Sequence, residues 1–183
     1  MLHRRFISTF AAALLAVGLL AGCGSDEGPS SNAADTSPSA KTDGPPTLPA
    51  EAKGADEDSA KVYAGFWVES LNYATTSGDT TELKKLGTNE CESCVAFAST
   101  LDQIYGAGGR VQSKGWTLQN AVPIAGQPET EPALRMDVLV QPQKVTEKAG
   151  AKTKSYDGGI QTMTMFLVRR GDGWLVDRLD LAT

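Results

Sequence analysis

Histidine is almost missing from this chain. The one example among 183 residues is His3, and it falls inside a stretch that reads as a cleaved signal. Its removal excludes Ser-His-Asp and Cys-His nucleophiles, imidazole acid/base chemistry and His-containing zinc sites from the remaining protein. A basic surplus is also missing. The chain has 17 Lys and Arg against 22 Asp and Glu, and loss of Arg4 and Arg5 with the signal leaves 15 against 22, a balance of −7. A field of that sign repels nucleic acid and anionic headgroups, so no nucleic-acid partner is expected. No apolar run is comfortably long enough to span a bilayer, which takes about 20 residues, and no basic stop-transfer cluster follows the longest one.

What is present at the N-terminus is a basic start (His3, Arg4, Arg5), an apolar run from Phe6 to Leu20, and then Leu20-Ala21-Gly22-Cys23. Small residues directly before a cysteine in this context form a lipoprotein signal. Residues 1–22 are then the signal peptide, Cys23 is the acylated mature N-terminus, and the protein is held on the outer face of the cell membrane. At roughly 0.8 kcal/mol per buried CH₂, two or three acyl chains hold it without a basic patch. The competing readings are an ordinary cleaved signal and an uncleaved anchor helix. Arg4-Arg5 followed by Phe6-Ile7-Ser8 matches a twin-arginine export signal only weakly.

Residues 23–58 are rich in Ser, Pro, Ala, Gly, Thr and Asp, with Leu48 the exception among large apolar residues, and read as a disordered linker. As a flexible coil of about 35 residues it would reach roughly 30–35 Å, stiffened by its prolines. Residues 59–183 form one domain of comfortable size, with no visible internal repeat.

Within that domain Val62, Tyr63, Phe66, Trp67, Ser70, Leu71 and Ala74 follow helical spacing, with Asp56, Asp58 and Ser59 as cap candidates and Gly78 as the stop. Asp79-Thr80-Thr81-Glu82 has capping-box spacing ahead of a short second helix. A third helix begins near Glu90, carries Val95, Ala98, Leu101, Ile104 and Tyr105, and ends at Gly106, Gly108 and Gly109. The same glycines could suggest a phosphate loop, but they close a helix instead of opening one. The period then drops to two. Trp116, Leu118, Asn120 and Val122 alternate in one strand, and Leu134, Met136, Val138 and Val140 in another. Ile160–Val168 is apolar on both faces and should lie centrally. Arg170-Gly171-Asp172-Gly173 signals a hairpin whose Asp-Gly tolerates positive φ. Pro142 marks an edge or bulge, and residues 144–157 read as a polar loop.

The expected fold is therefore α+β, three helices packed on a curved antiparallel sheet of about four strands. This order, closing on Gly173-Trp174-Leu175-Val176-Asp177, resembles the nuclear-transport-factor-2-like cone, in which a bent sheet wraps a long helix and leaves a pocket. Phe66-Trp67-Val68-Glu69-Ser70-Leu71-Asn72-Tyr73, Cys91-Glu92-Ser93-Cys94, Gly108-Gly109 and Trp116 are together similar to an uncharacterised family of actinobacterial lipoproteins, domain of unknown function 6318. The resemblance spans about residues 50–183 and implies an envelope lipoprotein, but no reaction.

Three sets of residues invite a chemical reading. Cys91 and Cys94, at a helix start, resemble a dithiol redox motif, but no strand precedes them, Glu90 and Glu92 would raise their pKa, and neither an aromatic nor a proline separates them. With Cys23 acylated they are an even pair in an oxidising compartment, and the bland alternative is a local disulfide contributing about 2 kcal/mol. Tyr63, Trp67, Tyr105, Trp116, Met136, Met163 and Phe166 could line a pocket for a small apolar ligand or be ordinary core. Asp177, alternating with Leu175 and Leu179, is the candidate for a shifted carboxyl in a lyase- or isomerase-like cone, or else an exposed or salt-bridged aspartate beside Arg178 or Arg135. No cofactor or metal is expected. The functional expectation is a non-catalytic binding module that meets the membrane through Cys23 and takes an apolar ligand or an envelope protein partner.

Overall fold

The computed structural model describes residues 44–182. The signal, Cys23 and most of the expected linker lie outside the described residues. A 3₁₀ turn, Ala50–Lys53, precedes α1 (Glu57–Ser77), α2 (Thr81–Lys85) and α3 (Glu92–Gly106). Seven strands follow: β1 (Arg110–Ser113), β2 (Trp116–Pro123), β3 (Ala133–Val140), β4 (Gln143–Thr146), β5 (Lys154–Tyr156), β6 (Gly159–Arg170) and β7 (Gly173–Leu181).

The expected boundary at residue 59 falls too late. Leu48 packs against the core and Ala52 is fully buried, so the packed structure begins inside the stretch expected to be linker. Polar contacts fasten the same stretch: Arg169 Nη1 donates to the Gly54 carbonyl, and Trp174 Nε1 donates to Ser59 Oγ at 3.2 Å. Low hydrophobicity concealed this, because two apolar side chains suffice to dock so short a segment.

α1 begins where Asp56 accepts from the Ser59 amide at 2.8 Å. It ends at Gly78, whose φ of 79° suits glycine and whose N–H donates to Ala74 O. Its buried stripe runs Ala60, Tyr63, Ala64, Trp67, Leu71, Ala74, the spacing of one helical face. The capping box expected for α2 is not formed. Asp79 accepts from the Thr81 amide, while Thr80 Oγ1 donates to Asp102 of α3 at 2.6 Å.

Two antiparallel sheets are present, ordered β2-β3-β6-β7 and β1-β4-β5. The second was not expected. The loop reading of residues 144–157 fails because β4 and β5 are short and polar and pair with each other and with β1. The two sheets are halves of one bent ribbon: Ser113 opposes Gln143 in one and Trp116 opposes Val140 in the other. Lys114-Gly115 and Gln141-Pro142 make the bend between them, with Gln141 N–H donating to Gly115 O at 3.1 Å. Pro142 thus stands where the ladder is interrupted and no donor is needed. Asn72 of α1 grips the bend in both directions. Its Oδ1 accepts from Trp116 N at 2.7 Å and its Nδ2 donates to Trp116 O at 2.8 Å.

β6 is central between β3 and β7, as its two apolar faces suggested. Two bulges break the expected alternation. One extra residue, Gln119, lies between Leu118 and Asn120, so Ala121 turns toward the core and Val122 is 48% exposed. The second lies in β7, where Leu167 opposes Val176 but Phe166 opposes Arg178, leaving Asp177 as the additional residue. The β6-β7 turn is the two-residue Gly171-Asp172 loop, with positive φ on Gly171 and not on Gly173.

Gly115 has φ 95°, and a Cβ there would press on the Asn72 carboxamide at 2.9 Å. Gly115→Ala is therefore expected to destabilise the fold by about 2–3 kcal/mol through backbone strain and loss of the Asn72 contact. Gly106→Ala, with nothing within 4 Å of the added methyl, should be neutral or stabilise by about 0.5 kcal/mol. Urea denaturation of the two variants measures the difference.

Candidate functional site

The interior between α1 and the four-stranded sheet is filled. Trp67, Leu134, Met136, Val138, Met163 and Met165 are all essentially inaccessible. The space that remains is beside α3, where the bent ribbon leans over the helix. An open apolar cleft of about 380 Å³ lies there. Phe97, Thr100, Leu101 and Ile104 line it from α3, and Val111 and Val145 from the facing strands. Leu71 and Thr75 contribute from α1, Trp116 from the bend and Leu181 from the end of β7. Val111 and Val145 are directly opposed in the β1-β4 ladder, so they present one apolar step to the helix.

An aromatic chain links the filled interior to the cleft. Trp67 meets Phe97 with ring centroids 6.1 Å apart, and Phe97 meets Trp116 at 5.8 Å, both edge-to-face. Such pairs add about 0.5–1.5 kcal/mol beyond their buried area and fix the ring angles. Trp67 Nε1 is the one buried side-chain donor without a partner among the described residues. An unmet donor costs about 1–3 kcal/mol, whereas burying roughly 200 Å² of indole at about 25 cal/mol/Å² returns around 5. Packing wins at this position.

Of the seven residues expected to line a pocket, Trp116 lines the cleft. Tyr63, Trp67, Met136 and Met163 are core. Tyr105 is half-buried with its hydroxyl donating to Thr75 O at 2.7 Å, and so ties the end of α3 to the end of α1. Phe166 projects from the opposite side of its strand from Met163 and Met165, with the Arg178 guanidinium 3.8 Å above its ring. Phe97, Val111 and Val145 are not among the expected pocket residues, although Phe97 shares the helical face of Leu101 and Ile104 at i−4 and i−7, while Val95, expected on that stripe, is exposed; the two valines sit on strands too short to show alternation.

Cys91 and Cys94 are joined in a disulfide. Cys91 is fully buried and caps α3, its sulfur accepting from the Cys94 amide at 3.3 Å. Gly87 packs against the Cys94 side chain, and the flanking chain bonds to β7, with Thr88 N donating to Val176 O and Val176 N to Leu86 O, both at 2.8 Å. The bridge closes the first turn of α3 on itself, and that turn is tied to the last strand by these bonds and by Ser93 Oγ, which donates to Leu179 O at 2.8 Å. Asp177 does not share the inward face of β7: Trp174 and Val176 face inward ahead of it, and the bulge at Asp177 brings Leu179 onto that face. It accepts a 3.2 Å bond from Thr88 Oγ1 and borders a separate polar depression with Arg178 and Gln127.

A family match covers residues 31–177, under the description "Family of unknown function (DUF6318)". The chain belongs to this family. No curated protein matches this DUF6318 chain significantly. Its fold has solved counterparts. The intermembrane-space region of the chloroplast protein ARC6 is 9% identical with a TM-score of 0.53, covering 70% of this chain and 97% of that one. A nuclear-transport-factor-2-like protein with a cystatin-like fold from Novosphingobium aromaticivorans is 14% identical with a TM-score of 0.42, covering 67% and 80%. An uncharacterised cystatin-like protein from Caulobacter vibrioides is 8% identical with a TM-score of 0.42, covering 68% and 89%. The DUF6318 domain is α+β, with antiparallel sheets.

Burial pushes the Tyr63 phenol well above its ordinary range, and its hydroxyl donates to Leu86 O at 2.9 Å. The unfolded phenol ionises near pH 10, so the stability tied to a neutral Tyr63 is complete below that pH and is lost as the pH rises beyond it. Absorbance at 295 nm during alkaline titration should show one of the four tyrosines ionising only as the protein unfolds. Tyr63→Phe should remove that late step and cost about 1 kcal/mol for the lost hydrogen bond.

Proposed function

We propose that this protein is a lipid-anchored binding module of the cell envelope that holds an apolar small molecule in the cleft beside α3. The cleft itself carries the reading: of its lining, only Thr75, Ser93, Thr100, Gln143 and, through its indole N–H, Trp116 bear polar side-chain atoms. Ligand sites are typically concave and apolar with a few polar groups, and this cleft has that character. The anchor is supported by Leu20-Ala21-Gly22-Cys23 following an apolar run.

The enzymatic alternatives find less support. A redox cycle at Cys91 and Cys94 would have to expose a sulfur that is fully buried. A lyase or isomerase reaction at Asp177 would have to run in a depression that shares no lining residue with the cleft. An envelope protein would dock on a surface, and the apolar lining here is recessed between helix and strands.

Two measurements test the proposal. Cys23→Ala should move the protein from the membrane to the soluble fraction, and continued membrane association would refute the anchor. The neutral fluorophore N-phenyl-1-naphthylamine should brighten on binding the wild-type chain. Thr100→Trp, which fills the cleft from an exposed position on α3, should weaken it at least tenfold. No brightening with the wild type would refute the ligand site.

A further inference from the structure

The cleft has a second, more polar part. Thr100, Ile104, Gln143 and Val145 line both the apolar space and an adjoining one of about 600 Å³, whose remaining borders are Gln103, Glu147 and Tyr156. The strand register produces this gradient. Val111 and Val145 are paired at the inner end, whereas the next outward-lying pair on the same face of β4 and β5 is Gln143 with Tyr156. One continuous groove therefore runs from Phe97, Leu101 and Trp116 to two carboxamides and a phenol.

Resting on the proposal of an apolar ligand site, we infer that the occupant is a neutral single-chain amphiphile whose headgroup bears hydroxyls. The inner space sets the tail. A cavity of about 150 Å³ holds one benzene, so 380 Å³ takes roughly 15 carbons on the same scale. Its narrow lining of helix side chains against a two-stranded ladder suits one chain. The outer space sets the head. No Lys or Arg is among the side chains lining either part, and the one charge is Glu147. Lys154, on β5 beside it, is engaged by Glu147 Oε1 at 2.6 Å, and that bond holds its ammonium in the charged form. An anionic head would thus meet the Glu147 carboxylate at the mouth, with the nearest ammonium among the described residues, Lys154 opposite Val145, already paired to it, under an acidic overall field. Hydroxyls, by contrast, both donate to and accept from Gln103, Gln143 and Tyr156.

The test compares two amphiphiles with the same ten-carbon acyl chain, 1-monodecanoylglycerol and decanoate, below their micellar concentrations. Each is titrated into the full chain carrying Cys23→Ala at pH 8. Trp116 reports binding by a blue shift, because it lines the cleft while Trp67 and Trp174 are already buried. Monodecanoylglycerol should bind at least tenfold more tightly than decanoate. Gln143→Lys, which adds a cation at the junction of the two spaces, should narrow or reverse that ratio. Equal affinities in the wild type would overturn the headgroup inference while leaving the apolar site intact. Failure of both amphiphiles, with N-phenyl-1-naphthylamine still bound, would overturn the amphiphile itself, and failure of all three would overturn the site.

Discussion

The structure depends on the two hydrogen bonds that the Asn72 carboxamide makes to the backbone of Trp116. A long antiparallel ribbon cannot turn sharply without losing ladder bonds, and this one is interrupted at Lys114-Gly115 and Gln141-Pro142, where the Gln141 N–H to Gly115 O bond is kept. Asn72 restores both bonds to Trp116, one donor and one acceptor, from a helix that is itself buried in the core. Each bond is worth about 1 kcal/mol net, but leaving both backbone groups unpaired would cost about 1–3 kcal/mol apiece. A carboxamide meets the need because it carries donor and acceptor on one plane; a carboxylate or an aliphatic chain satisfies at most half of it. Gly115 supplies the matching space.

The bend decides where empty space can exist. On the β2-β3-β6-β7 side the sheet lies flat on α1, and large side chains meet without a gap. On the β1-β4-β5 side the ribbon swings over α3, whose facing residues are smaller, and the gap is not closed. Trp116 stands at the boundary, its backbone held by Asn72 and its ring packed on Phe97. The Leu86 and Thr88 bonds to Val176 and the Ser93 bond to Leu179 hold the N-terminal end of α3, whose first turn the disulfide closes, against β7, while Tyr105 holds the other end to α1. A helix pinned at both ends cannot simply collapse onto the ribbon, so the cleft is preserved in the absence of ligand.

Much of this was legible in the residues. α1 is legible in a seven-position stripe, apolar but for Ser70, between an aspartate cap and a glycine stop, β3 in clean alternation and β6 in a run apolar on both faces. What escaped has a common cause: short-range departures from period. The bulges at Gln119 and Asp177 each add one residue and reverse the face of everything beyond, which turns Val122 out and Leu179 in, so that Leu179 does not share the face of Leu175 and Asp177. β4 and β5 have four and three residues, too few to distinguish strand from polar loop. The candidate site suffered most. Large aromatic and methionine side chains were natural pocket candidates, but the largest of them are what the core needs, and the cleft is lined by what the core leaves over.

The most direct test is the affinity of the Asn72→Ala variant for N-phenyl-1-naphthylamine, measured after circular dichroism shows it folded. If the clamp holds the bend and the bend holds the cleft open, affinity falls at least tenfold although Asn72 itself does not line the cleft. Wild-type affinity in that variant would contradict the dependence of the site on the Asn72–Trp116 contact.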